Sequence, residues 1–319
     1  MQPFFYFIVK AILNTVSTKK LQLNLQLNTN VMKSKTLQNL LLVLVCMTSF
    51  SVYAQKNNGK LELTKGQKLQ VDNTLNSVAT MDMMGQQMEL NSDAVMVNQV
   101  EVKDKKDSSY TIASTLTKMT TNGNMMGQSY SFDSDKKQDR DSSELGKMLK
   151  DQLNVPREIE LNSKGQVVNQ KKTDAPAETG ANPMMGMMKS MTGSGSDFAA
   201  TEVFQVIPSG AKQGDTWSDS AILDGIKTFR TYTIKEIINN IAAVTLTGNQ
   251  TTNKKVEQMG SEINLMIEAK LSGESKVDMK TGMVQQKTFV IDGSGSADAM
   301  GQSIPLTMKV TSTIIVKSL

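Results

Sequence analysis

Histidine is absent from this 319-residue chain, and cysteine and tryptophan occur once each. The missing histidine removes Ser-His-Asp and Cys-His nucleophile pairs, imidazole proton shuttles and every histidine-containing metal site. One cysteine cannot build a disulfide framework. Aromatic residues are scarce at 5%, whereas methionine is abundant at 23 residues. No nucleophile elbow of the Gly-x-Ser-x-Gly kind occurs, so the chain is read as a non-enzyme.

Residues 32–54 read as a secretory signal peptide. Lys33 and Lys35 form its positive region, Leu40 to Val45 opens its apolar core, and Val52-Tyr53-Ala54 places a small residue at the cleavage position. The apolar run is shorter than the roughly 20 residues of a membrane span. Cys46 follows Val45, whereas a lipid-modified cysteine follows a small residue, so Cys46 is an apolar filler. Residues 1–31 carry no acid and are expected to be an upstream extension, with translation from Met32; a long cleaved leader is the alternative. Cleavage after Ala54 would place the mature protein in the periplasm or at the outer membrane. The whole chain carries a formal charge of +4; without the leader's five lysines it holds 30 basic against 31 acidic residues. A nucleic-acid partner then has no electrostatic basis.

Period-two alternation dominates what remains. Ile263, Leu265, Ile267, Ala269 and Leu271 alternate with polar neighbours, as do Ile304, Leu306, Met308 and Val310. Weaker versions run through Tyr110, Ile112, Leu116 and through Ala242, Val244, Leu246. One apolar face per strand is the mark of antiparallel sheet over a core. Pro305 points to an edge or a bulge for the last strand. Met84-Gly85-Gln86, Met126-Gly127-Gln128 and Met300-Gly301-Gln302 read as hairpin tips, as do Asn162 to Gly165 and Met279 to Gly282. Helices are few. Asp141 and Glu144 resemble a capping box ahead of Leu145, Met148, Leu149 and Leu153. Met184, Met187, Met188 and Met191 fall at helical spacing, and Phe198 to Phe204 form a second candidate turn of helix. These features divide the mature chain into a β-rich half at 55–170, a linker and Met-rich segment at 171–205, and a β-meander half at 206–319.

The halves align. Val102-Lys103-Asp104 matches Ile234-Lys235-Glu236, Glu160 to Val167 matches Val277 to Val284, and Lys65-Gly66-Gln67 answers Gln213-Gly214-Asp215. Duplication and convergence of strand-turn-strand sequence both account for this.

Ile207-Pro208, Gly214-Asp215-Thr216-Trp217 and Lys276-Val277-Asp278 with Thr281-Gly282 resemble an uncharacterised family of exported bacterial envelope proteins. Lys60 to Leu63 and Phe132 to Asp135 share that resemblance, which implies no functional residue. The long strands with short helices are also similar to lipoprotein-carrier-like half-barrels, which hold an acyl chain between sheet and helices.

Four constellations invite chemistry. Asp133, Asp135, Asp139, Asp141 and Glu144 follow a calcium-loop spacing, but Lys137 and Gln138 occupy a ligand and the glycine position, so a solvated connection with helix caps is expected. Met184-Met185-Gly186-Met187-Met188 and Met81 to Met84 offer thioethers to Cu(I), against a packing or greasy-surface role. Asp292 to Asp298, rich in Gly and Ser, lacks the phosphate-loop ending and reads as a hairpin loop. Trp217 reads as a core anchor rather than a stacking platform.

The expectation is a mainly β protein of curved antiparallel sheet, half-barrel or open-barrel-like, with two similar halves and a few short helices. Ile263, Leu265, Ile267, Leu306 and Met308 would line its core or a cavity. A non-catalytic binder of an apolar or lipidic ligand leads; a structural or adhesion module with envelope partners, and a Ca²⁺ or Cu(I) binder, are the alternatives. No cofactor is expected.

Overall fold

Eight strands of 13 to 20 residues, each with one apolar and one polar face, assemble with four shorter ones into a single sheet. A computed structural model describes residues 59–319 except 84, 126, 151, 171–201, 224, 259–260 and 300–301. The strands are β1 (Lys68–Met83), β2 (Gln86–Lys105), β3 (Ser109–Met125), β4 (Gln128–Asp133), β5 (Arg157–Asn162), β6 (Val167–Gln170), β7 (Thr216–Leu223), β8 (Ile226–Ile238), β9 (Ile241–Gln258), β10 (Ser261–Asp278), β11 (Val284–Ala299) and β12 (Gln302–Ser318). Two short helices, α1 (Lys137–Ser142) and α2 (Glu144–Leu149), interrupt the first half. The order is β6-β5-β3-β2-β1-β12-β11-β10-β9-β8-β7, with β4 beside β3, and every ladder is antiparallel. The chain thus starts mid-sheet, runs out to one edge, and re-enters from the other edge to finish beside its own first strand. The two halves flanking 171–205 are halves of one sheet, within one unit spanning Gln55–Leu319.

The sheet rolls toward its apolar face. Leu61 N donates to Ser163 O at 2.7 Å and Glu62 N to Thr281 O at 3.0 Å. Those acceptors sit on the β5–β6 and β10–β11 turns, five strand spacings apart, about 24 Å in a flat sheet. Two adjacent residues bridge them only because the sheet curls. Glycine permits the curl. Gly123, Gly248, Gly273, Gly293 and Gly295 all lie on the inward face, and a Cβ on most of them would strike a neighbouring strand's carbonyl oxygen at 1.9 to 2.5 Å. The Gly-Ser stretch 292–298 is therefore not a hairpin loop but the interior of β11, with Gly293 and Gly295 inward and Ser294 and Ser296 outward.

One end of the roll is plugged. Leu61, Leu63, Val203, Phe204 and Ile207 close over Leu69, Val71, Val100, Ile112, Ile159, Leu161, Ile234, Val244, Val277 and Ile314 in the largest buried cluster. Tyr110 belongs to it and donates its hydroxyl to Leu61 O at 2.7 Å. Tyr110→Phe should cost about 1.5 kcal/mol in a denaturant melt, because the buried carbonyl loses its partner without gaining water. The second helix and the residues after it cover another part of the same face, where Leu145, Leu149 and Leu153 meet Met96, Leu116 and Phe132.

At the opposite end lie two-residue hairpin turns. Met83 pairs with Gln86, Met125 with Gln128 and Ala299 with Gln302, as the Met-Gly-Gln motifs require. Leu223–Ile226 and Gln258–Ser261 add two more at the same end, neither with a Met-Gly-Gln motif. Gly85 and Gly127 take φ values of 79° and 78°, a conformation glycine adopts without steric cost.

The aligned halves make the same bonds. Gly66 N donates to Val102 O and Val102 N to Gln67 O; Gly214 N donates to Ile234 O and Ile234 N to Asp215 O. A bulge skips Lys103 in the first half and Lys235 in the second, at the aligned positions. The correspondence of the aligned segments thus extends from sequence to main-chain bonds and bulges.

Pro305 needs a different account from the one its residue type suggests. The last strand, β12, lies mid-sheet between β1 and β11. Its ladder with β1 ends at Leu306, so Pro305 forfeits no bond to β1. The helix expected after an Asp141–Glu144 box is two helices instead. Ser143 caps the second, its hydroxyl accepting from Gly146 N at 2.9 Å. The signal peptide, Cys46, the extension, and the Met184–Met191 stripe lie outside the described residues. Of the candidate turn of helix at 198–204, residues 202–204 are described, and Phe204 bridges Met283.

Candidate functional site

Alternation along β1, β2, β10, β11 and β12 continues beyond the plugged end and creates a second apolar cluster. Leu75, Met81, Ala94, Leu265, Ile267, Ala297, Leu306, Met308 and Val310 form it, with Ala79, Leu90, Ile263, Ile291 and Ile304 packed against them. All five residues expected to line a core or cavity, Ile263, Leu265, Ile267, Leu306 and Met308, are brought together here. Among the described residues this cluster is built by strands alone, with no counterpart of the Leu61 and Phe204 plug. Its wall is also short of bulk: Gly293, Gly295, Ala297 and Ala269 face inward beside Leu306, Met308 and Ile267.

Between the two clusters the inward face turns polar. Asn73 on β1, Asn98 on β2, Ser312 on β12 and Ser275 on β10 stand at the changeover, and Lys287 on β11 faces Ser275. Asn98 is 0% exposed and neither its amide nitrogen nor its oxygen has a hydrogen-bond partner. Asn73, 1% exposed, accepts from Ser312 Oγ at 2.8 Å while its Nδ2 is unpaired. Gln205 Oε1 accepts from Ser275 Oγ at 3.0 Å, and its Nε2 is likewise unpaired.

A charged group adjoins this belt. Glu202, arriving from the plug segment, pairs with Lys287 and lies 3.8 Å from Arg230 Nη1. Arg230 also grips Asp219 through two bonds of 2.8 and 3.1 Å, and Tyr232 donates to the same carboxylate at 3.3 Å. Burial works against the Glu202 charge, but Lys287 and Arg230 outweigh it and hold the carboxyl below its ordinary range. Burial also pushes the Tyr232 hydroxyl above its usual range, so it stays a donor. Two cations face two anions, and the group is internally neutral. No motif in the sequence marks these residues, although Ser312 within Val310-Thr-Ser-Thr-Ile314 and Lys287 before Phe289 visibly break the inward alternation.

The other candidates are placed as follows. Asp133 Oδ1 accepts from Asp135 N, Asp139 Oδ2 accepts from Asp133 N, and Asp135 pairs with Lys118, so these carboxylates serve the β4–α1 turn. Among the described residues no three acidic side chains converge as a metal site needs. Trp217 packs against the plugged core and stacks on Tyr232 with centroids 5.1 Å apart. It borders an open cleft of about 420 Å³ with Pro208, Ser209, Ala211, Asp215 and Thr216.

The outward face carries Asp72, Glu89, Asp93, Glu101, Lys270 and Lys309. That is the reverse of a membrane barrel, whose outer side is an apolar band. Among the described residues no helix is long and apolar enough to cross a membrane.

Comparison with solved structures finds similarity to a lipovitellin whose structure concerns lipid–protein interactions, at 11% identity and a TM-score of 0.46. The match takes in 80% of this chain and 25% of that one, so the chain spans about a quarter of lipovitellin's length. An outer membrane channel from Pseudomonas putida F1 is 7% identical over 82% of this chain and 98% of its own, with a TM-score of 0.24. The beta domain of a Bordetella autotransporter is 9% identical over 78% and 99%, with a TM-score of 0.22. No curated protein matches the chain. A family model matches residues 107–284, and the chain therefore belongs to this family of unknown function (DUF6263).

Proposed function

We propose that the protein is a non-catalytic, exported envelope protein that binds an apolar or lipidic ligand on the inward face of its rolled sheet. The observation that carries this is the second apolar cluster. The same sheet face is plugged by Leu61 and Phe204 at one end, yet at the other it presents Leu265, Ile267, Leu306 and Met308 opposite small residues. An apolar wall with glycine and alanine where bulk would fill a core suits a chain-like guest. The absence of histidine and the pairing of the buried charges with each other support a binding rather than a catalytic role.

Native mass spectrometry of the protein purified from its own envelope tests this. The expected spectrum shows a stoichiometric adduct of lipid mass that organic extraction removes. A bare mass, with added fatty acids and phospholipids also failing to bind, would replace this reading with the structural or adhesion module. The measured protein mass also checks cleavage after Ala54.

A further inference from the structure

We propose that the polar belt is a head-group subsite, and that the ligand is a neutral amphiphile whose ester or hydroxyl head seats on Asn98 and Asn73. The inference rests on the ligand-binding reading above and deepens it. On β1 the inward residues run Leu69, Val71, Asn73, Leu75, and on β2 Ala94, Met96, Asn98, Val100. Apolar residues flank each asparagine on both sides, so neither is there to solvate a strand end. Val71 pairs with Asn98 and Asn73 with Met96, which makes the two amides diagonal neighbours on one face.

Buried amides are nearly always hydrogen-bonded, and an unmet one is costly to keep. Here Asn98 has an unmet donor and an unmet acceptor, and Asn73 an unmet donor. A second polar group brought in from outside meets both needs. A carbonyl oxygen accepts from the Nδ2 groups, and a hydroxyl donates to Asn98 Oδ1. The head should be uncharged, because the nearby cations are already engaged: Lys287 by Glu202, and Arg230 by Asp219 and Glu202. An ionised carboxylate would find donors but no uncompensated positive charge, and would lose its hydration. From this belt the second apolar cluster begins at Leu75 and Val310, where an alkyl tail would lie.

Three probes with matched tails separate the cases: monoolein, ionised oleate and 1-octadecene, each titrated against the full-length protein. Monoolein should bind about tenfold tighter than either of the others, the worth of a good buried hydrogen bond. Asn98→Leu, near in volume and with no polar atom to leave unmet, should erase that preference while keeping octadecene binding. Its thermal midpoint without probe should equal or exceed the wild-type value, and monoolein should raise it less. Asn73→Leu supplies the same comparison on the neighbouring amide should Asn98→Leu not fold. Equal affinity for monoolein and oleate, or a preference that survives both substitutions, overturns the head-group subsite and leaves the apolar site standing. Failure of all three probes to bind overturns both.

Discussion

Glu202→Ala is expected to lower stability by about 3–5 kcal/mol, because it strands a buried ammonium. Lys287 is 5% exposed, on an inward strand position, and Glu202 is the carboxylate that neutralises it. Arg230 suffers less, since Asp219 retains its two-bond grip. The double variant Glu202→Leu with Lys287→Met should recover most of the loss, because a well-packed apolar pair is a fair exchange for a buried ion pair. Urea melts on the three proteins measure this. A single variant within about 0.5 kcal/mol of wild type would show that Lys287 finds another partner or reaches water.

The same carboxylate makes stability depend on pH. Its folded pKa lies below the ordinary 4.5, so its contribution is complete above that pH. The contribution is lost as pH falls through the depressed folded value, where the unfolded chain already holds the proton. Melts taken from neutral pH downward should therefore show an acid-side decline below about pH 4.5 that is shallower in Glu202→Ala.

Gly295→Val should cost about 3 kcal/mol or more, as overpacking against a rigid neighbour does. An ideal Cβ there would fall 1.9 Å from the carbonyl oxygen of Met266, a backbone atom that cannot rotate away. Relief requires β10 and β11 to separate, which flattens the sheet where it curls. Ser294→Val is the control: the adjacent side chain points outward and is exposed, so it should stay within about 0.5 kcal/mol of wild type. Equal effects at 294 and 295 would show that curvature does not depend on the inward glycines. If the ligand lies against this wall, Gly295→Val should also abolish the lipid adduct in any fraction that folds.

These glycines show both the reach of the sequence and where it stops. Asp292-Gly-Ser-Gly-Ser-Ala-Asp298 reads as a turn when composition is weighed, because glycine and serine are turn residues. Its period tells otherwise: Ile291, Gly293, Gly295 and Ala297 continue one face of β11. The Met-Gly turns were legible for a local reason, since a two-residue hairpin needs a positive φ that glycine supplies. Pro305 misled because an edge is the usual refuge of a strand proline, whereas here a shortened ladder with β1 does the same service. Asp141 and Glu144 had the spacing of a cap, but the chain breaks its helix at Ser143.

The sequence by itself determined that the protein is made of one-sided antiparallel strands joined by tight turns. That is a short-range property, written in alternation at period two and in glycine placement. The tertiary structure decided that β1 lies beside β12, that the sheet curls until Leu61 and Glu62 reach the Ser163 and Thr281 turns, and that Glu202 meets Lys287 and Arg230. Those partners lie from 28 to more than 200 residues apart. No local periodicity encodes such a pairing; it is set by which apolar faces must be buried together once the sheet has rolled.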